Sequence, residues 1–275
     1  MSQSHIFNLD RYQERIGYRG PLEPSLSVLH ALSEHHAKRV PFENLDVLMG
    51  KGIDLSPAAL ERKLIDSRRG GYCFEQNGFM LGILKQIGYE VTPLSARVRV
   101  ESPREVLPPR THLFLVVHVE GQEWIFDVGV GGLTLTSPIL RHACGEQETR
   151  HERRRIVKEE GKWFHQAWTG NAWVDVYEYT GEEMPEIDRE VANWWTSSSP
   201  KAKFSQRLVC ALAADNGERL ILLNDRFTRR RGREILESIV VRSADELLEL
   251  LAGRFGLDFP EGTRIGSGDK PWPTH

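Results

Sequence analysis

Cysteine is scarce in this chain: three residues in 275, at positions 73, 144 and 210. An odd, widely spaced set with no C-x-x-C or Cys/His zinc pattern argues against a disulfide framework and offers no metal site. Long apolar runs are missing as well. Runs such as LFLVV are far short of the ~20 residues that a membrane helix requires. The start, MSQSHIFNLDRYQERIG, has no cationic segment leading into an apolar one, so no secretory leader is expected. Nor does one sign of charge dominate. A formal net charge of −3 provides no overall basic field for nucleic acid or an anionic membrane. The local exception, Arg229, Arg230, Arg231, Gly232 and Arg233, reads as a solvated turn between strands. What remains is a globular chain, 40% hydrophobic, expected in the cytoplasm where thiols stay reduced. Nothing in the sequence bears on its oligomeric state.

The pattern divides the chain into three parts. Residues 1–88 read as helical. PSLSVLHALSEHHAKRV has Leu26, Leu29, Ala31 and Leu32 near helical spacing, and its adjacent His35 and His36 are expected on a solvated face. DLSPAALERKLID opens with Ser56 as N-cap and Pro57 at the first helical position. CFEQNGFMLGILKQIG places Phe74, Met80 or Leu81, Leu84 and Ile87 on one side and stops at Gly88. From 89 to about 200 the period changes to two. SARVRV, THLFLVVHV, WIFDVGV and KWFHQAWTGNAWVDVYEYT are short strands that suggest a barrel or a strongly curled sheet. Residues 201–275 return to mixed structure, with a turn at Asn216-Gly217 and an amphipathic helix in SADELLELLAGRFGLDF. The fold class is α+β.

One cysteine stands in an unusual setting. Cys73 follows Gly70 and Gly71 in RGGYCFEQNG and opens an apolar helical run. The thiolate is the reactive form of cysteine, and the positive end of a helix dipole stabilises an anion there. Glycines before it let the backbone approach a substrate, and free helix N–H groups could hold an oxyanion. A buried small hydrophobe that begins a helix is the competing explanation. A thiol nucleophile needs a base and a group to orient that base. His112 and Asp127 flank one hairpin and are the candidates, with His118 as an internal competitor on the same face. If Gly121 and Gln122 form the hairpin loop, Asp127 lies opposite Val116, four residues from His112. At ~3.3 Å per residue that offset is ~13 Å, so a direct His–Asp bond requires a bend, a bulge or a different pairing.

The ordered blocks PFENLDVL, RGGYCFEQN, RTHLFLVV, FDVGVGG and NWWTSSSP together resemble an arylamine N-acetyltransferase. That resemblance implies an N-terminal helical bundle, a central β-barrel and a C-terminal α/β lid, a relative of papain-like cysteine enzymes. It implies a Cys73–His112–Asp127 triad that transfers acetyl groups from acetyl-CoA to arylamines or hydrazines. Transfer to the oxygen of N-hydroxyarylamines is part of the same expectation. The intermediate would be an acetyl-Cys thioester in a ping-pong reaction, without metal or tightly bound cofactor. By the same resemblance Phe42 and Val130 flank the acceptor. Thr111, Gly131, Ser197, Ser198 and Phe204 lie near CoA, and an Arg69–Glu43 ion pair supports the loop before Cys73. Two positions depart from the family pattern. Val130 replaces a common Phe and should widen the acceptor pocket, and Ser199 replaces a His before Pro200. Other enzymes using this triad (an amide synthase, cysteine protease or transglutaminase-like enzyme), or a silent binding protein on the same scaffold, are the alternatives.

Overall fold

The computed structural model describes residues 5–267, 270 and 271. The first four residues, which begin the segment read as lacking a leader, and the last four of the third expected part lie outside the described residues. Seven α-helices are present among them: α1 (Leu9–Ile16), α2 (Leu26–Arg39), α3 (Leu45–Leu48), α4 (Pro57–Glu61), α5 (Cys73–Ile87), α6 (Glu186–Ser198) and α7 (Ala244–Phe255). The strands β1 (Phe42–Glu43), β2 (Glu90–Val98), β3 (His112–Val119), β4 (Gln122–Phe126), β5 (Ile139–Leu140), β6 (Glu146–Gln147), β7 (Arg154–Glu159), β8 (Lys162–Trp168) and β9 (Trp173–Tyr179) alternate with loops. A further set comprises β10 (Val209–Ala213), β11 (Glu218–Leu223), β12 (Arg226–Arg231) and β13 (Glu234–Val240), and a two-residue pair, Gly266–Ser267 with Lys270–Pro271, follows. The architecture is α+β.

Eight strands form one antiparallel sheet in the order β5-β4-β3-β2-β9-β8-β7-β6. Its two end strands are stitched by a side chain: Gln147 accepts from Leu140 N at 2.7 Å and donates to Leu140 O at 2.9 Å. The sheet is therefore nearly closed. The other large sheet runs β1-β10-β11-β12-β13, so the helical part of the chain contributes its first strand.

β3 explains how helices and barrel share one wall. Its odd residues Leu113, Leu115, Val117 and Val119 join the core beneath α1, α2 and α5. Its even residues Phe114 and Val116 join the barrel interior with Tyr177 and Tyr179. A strand buried on both faces reads as a continuous apolar run, which is why LFLVV lacks alternation. α5 is likewise buried almost all round, including Phe74, Phe79, Met80, Ile83 and Leu84, and ends at Gly88 in a left-handed conformation.

Several local expectations change. Ser56 makes no side-chain cap on α4; Asp54 Oδ1 accepts from Ser56 N at 2.8 Å instead. His36 is fully buried, between the Tyr12 hydroxyl at 3.3 Å and Gln76 Oε1 at 3.2 Å, and burial pushes its pKa down to about 3. Arg229, Arg230 and Arg231 lie within β12, leaving Gly232 and Arg233 as the turn. The β3–β4 loop is Glu120-Gly121, both with left-handed φ (53° and 72°), rather than Gly121-Gln122. Val119 pairs with Gln122 and Leu115 with Phe126. Asp127, next after β4, is thus level with Phe114, two residues from His112 instead of four.

Candidate active site

The loop before Cys73 is built by close backbone approach. A Cβ on Gly70 would sit 1.9 Å from Pro41 O, so no other residue fits without moving that backbone. Gly71 N donates to Pro41 O at 3.3 Å, and Glu43 N donates to Gly71 O at 3.1 Å. Gln76, in the first turn of α5, donates to both Pro41 O (3.0 Å) and Gly71 O (2.7 Å). Glu75 accepts from Tyr72 N at 3.0 Å and pairs with Lys63 at 2.5 Å, satisfying one of the amides a helix start leaves open. Cys73 is the first residue of this helix, 4% exposed, with its Sγ–H directed at Thr111 O, 3.6 Å away.

His112 opens β3 and shares the face of Phe114 and Val116. Its Nε2 meets Asp127 Oδ2 at 2.8 Å. With Asp127 ionised, Nε2 is the donor, which leaves Nδ1 for Cys73. His112 is buried, and burial opposes its charged form. The Asp127 carboxylate outweighs that penalty, Cys73 adds to it, and the pKa rises to about 10. Asp127 Oδ1 accepts from Gly129 N (3.0 Å) and Asn77 Nδ2 (2.8 Å). Asn77 also donates to Leu113 O at 2.7 Å and accepts from Val128 N at 3.0 Å. It lies four residues after Cys73, on the same helix face. One amide therefore ties the helix of Cys73 to the strand of His112 and the loop of Asp127. Sequence reasoning missed Asn77; its i, i+4 spacing from Cys73 in CFEQN was the available signal. Gly129 was missed too. A Cβ there would lie 2.8 Å from Cys73 Cα, so this glycine sets how closely the Asp127 loop approaches Cys73.

Behind His112 lies a second polar group. Tyr177 packs against His112 at a ring distance of 5.1 Å and against His165 at 4.8 Å. Burial, Arg154 and then His112 all push the His165 pKa well down, so its imidazole is neutral. Glu152 is buried yet kept ionised by Arg219 and Arg154, whose guanidinium nitrogens approach its Oε2 to 2.6 and 2.8 Å.

Cys73 and His112 open onto a cavity of about 880 Å³. Phe42, Thr111, Val130, Gly131 and Phe204 line it as well. Phe204 is held by Asn44, which donates to its carbonyl at 2.8 Å, and its ring meets Phe42 at 5.8 Å. Asp127 stays behind His112, away from the cavity. Ser197 and Ser198 do not line it either: Ser197 Oγ donates to Asn193 O at 2.8 Å, four residues back within α6, and Ser198 is exposed. Their neighbours Trp195, Thr196 and Lys201 face the cavity instead. Arg69 donates to Glu43 Oε1 at 2.7 and 3.0 Å, and Glu43 Oε2 accepts from Leu45 N. His118 sits at the far end of β3, 3.8 Å from Glu123. Cys144 is exposed and Cys210 is buried in β10. Among the described residues no three His, Cys, Asp or Glu side chains could hold a metal ion, and no helix is long and apolar enough to cross a membrane.

A cysteine at a helix start and an imidazole, both at an apolar-walled cavity, with a buried carboxylate behind the imidazole, form an arrangement compatible with thiol-based acyl transfer. The N-acetyltransferase family model matches residues 25–263. An arylamine N-acetyltransferase of Mycobacterium tuberculosis is 39% identical over 255 residues, spanning 91% of this chain and 89% of the relative. An arylamine N-acetyltransferase / N-hydroxyarylamine O-acetyltransferase of Salmonella typhimurium is 38% identical, over 85% and 83% of the two chains. The structure of Mycobacterium marinum arylamine N-acetyltransferase in complex with CoA superposes with a TM-score of 0.87 at 35% identity, covering 91% of this chain and 93% of that one. The chain belongs to the arylamine N-acetyltransferase family of acyltransferase enzymes.

Proposed function

We propose that this protein transfers the acetyl group of acetyl-CoA to arylamines and arylhydrazines through an acetyl-Cys73 thioester. The observation that carries the reading is the His112 Nε2–Asp127 Oδ2 bond of 2.8 Å beside a cysteine that heads a helix. His112, with its raised pKa, takes the thiol proton before attack. Cys73 Sγ then bonds to the acetyl carbon as the bond to the CoA sulfur breaks, and CoA leaves with the proton that His112 held. Asp127 holds the ring and stabilises its positive charge. The Cys73 N–H, at the first position of α5, faces the developing oxyanion. The acceptor nitrogen then attacks the acetyl-enzyme, loses its proton to His112, and restores the thiol. Arylamines suit this step because they stay neutral near pH 7. Alkylamines, by the lysine reference pKa of ~10.4, are mostly protonated.

Support for acetyl-CoA as donor comes from the CoA complex of the M. marinum relative. The name of the S. typhimurium relative extends the proposal to O-acetylation of N-hydroxyarylamines. Phe42 and Val130 wall the acceptor, and Thr111, Gly131 and Phe204 border the donor. Residues 1–88 supply the nucleophile, 89–200 the base and its carboxylate, and 201–275 cover the cavity. The cytoplasm, where thiols are reduced, is the fitting compartment. Initial-rate kinetics test the transfer. Parallel double-reciprocal lines for acetyl-CoA and arylamine are expected; intersecting lines would mean that both substrates must bind together and would exclude the thioester route.

A further inference from the structure

We propose that Arg230 is a specificity-determining residue that pairs, inside the substrate cavity, with a carboxylate carried by the acceptor amine or by the acyl group. This deepens, and rests on, the transfer reading above. Arg230 lines the same cavity as Cys73. Its neighbours in β12 are both neutralised: Arg229 pairs with Glu218 at 3.0 Å and Glu237 at 3.2 Å, and Arg231 with Glu218 at 2.8 Å. The Arg230 side chain, on the other face of the strand, makes no hydrogen bond or ion pair with any described residue. The ladder to β13 slips at this point, with Arg229 opposite Glu237 but Arg230 opposite Ile235. Such a bulge re-aims the side chain beside it.

The charge balance around Arg230 is incomplete. Directly across the ladder stands Arg219, and like charges opposite one another oppose folding unless something neutralises them. Arg219 and Arg154 share the single carboxylate of Glu152, leaving this cluster with more positive than negative charge before Arg230 is added. The carboxylates that line the cavity are already taken. Glu101 pairs with Arg207 at 2.8 Å, and Asp175 with Arg104 at 2.6 Å. Val130, Leu133, Val174 and Ile221 belong to the same lining, so an aromatic ring or a short acyl chain can lie on apolar wall while its carboxylate meets the guanidinium. A guanidinium fork matches a carboxylate in two parallel hydrogen bonds.

The test compares substrates that differ only in that charge, for wild type, Arg230→Gln and Arg230→Lys. With acetyl-CoA as donor, 4-aminobenzoate is paired with its methyl ester. With 4-methoxyaniline as acceptor, malonyl-CoA is paired with acetyl-CoA. In at least one pair, Arg230→Gln is expected to lower kcat/KM for the carboxylate member by about ten- to a hundred-fold. The neutral member should stay within about two-fold, because no interaction with it is removed. Loss in the first pair assigns the acceptor as the source of the carboxylate, loss in the second the acyl group. Arg230→Lys keeps the charge and should retain part of the preference. Since the guanidinium has no internal partner, both variants should melt within a few degrees of wild type, and a loss confined to the carboxylate member cannot come from misfolding. Equal losses for both members of both pairs, or no loss in any, overturn the assignment. Absence of neutral-amine acetylation by the wild-type protein would instead sink the transfer reading, and this inference with it.

Discussion

Asn77 donates from Nδ2 to Asp127 Oδ1 at 2.8 Å, one helical turn beyond Cys73. The same amide serves Leu113 O and Val128 N, so a single buried side chain ties together the elements that carry Cys73, His112 and Asp127. Asn77→Ala removes one hydrogen bond from each of three polar groups in a buried setting. The expected cost is about 2–4 kcal/mol of stability, with a fall in kcat larger than any change in KM. Urea denaturation and steady-state kinetics on the same preparation check it. Unchanged kcat would show that Asn77 does not position the site.

Gly129→Ala places a methyl group against Cys73 Cα, where backbone cannot yield as a flexible side chain would. Overpacking of this kind costs about 1–3 kcal/mol, and displacement of the nucleophile should lower kcat by at least about ten-fold. A variant that keeps full activity would mean that the Asp127 loop can retreat freely.

The His112–Asp127 pair predicts a particular pH dependence. The imidazole pKa is raised from its ordinary value of 6.5 to about 10 in the folded protein. The stabilisation it supplies is therefore complete below the unfolded value and is lost as pH rises through about 10. Asp127→Asn removes the carboxylate and leaves burial, which favours neutral imidazole. The difference in unfolding free energy between wild type and Asp127→Asn should shrink as pH rises from about 6 to about 10. NMR titration of His112 gives the direct readout. A midpoint unchanged by the substitution would show that Asp127 is not the cause.

Much of this site was legible as residues but not as geometry. The glycine pair, Cys73, His112 and Asp127 stand out by type and setting, and the helix, strand and mixed parts follow from a change in hydrophobic period. The hairpin register did not follow, because Glu120-Gly121 and Gly121-Gln122 both offer a glycine to a two-residue loop. The observed turn places a glutamate at φ 53°, a conformation that its side chain does not advertise. His36 was misread since its charged neighbours suggested solvent, whereas Tyr12 and Gln76 enclose it from other helices. α6 went unnoticed for the opposite reason. Its apolar residues Ile187, Val191 and Trp194 are exposed at 62–65%, so its pattern does not mark a core face. Ser197 and Ser198, carried by resemblance alone, lie off the cavity lining.

Val130 borders the cavity next to Gly131, where an added Cβ would lie 3.6 Å from the Phe42 ring. Val130→Phe should narrow the acceptor side. Bulky arylamines are expected to lose about ten-fold in kcat/KM relative to a small hydrazine, with donor KM unchanged. An identical acceptor profile would remove Val130 from the specificity wall.

The central claim is that Cys73 carries the acetyl group between the two substrates. Intact-protein mass spectrometry after brief exposure to acetyl-CoA, followed by peptide mapping, tests it directly. The account predicts one added acetyl group, confined to the peptide that contains Cys73, discharged on addition of an arylamine and absent from Cys73→Ser. A folded wild-type protein that acetylates the amine while Cys73 never acquires the adduct would contradict it.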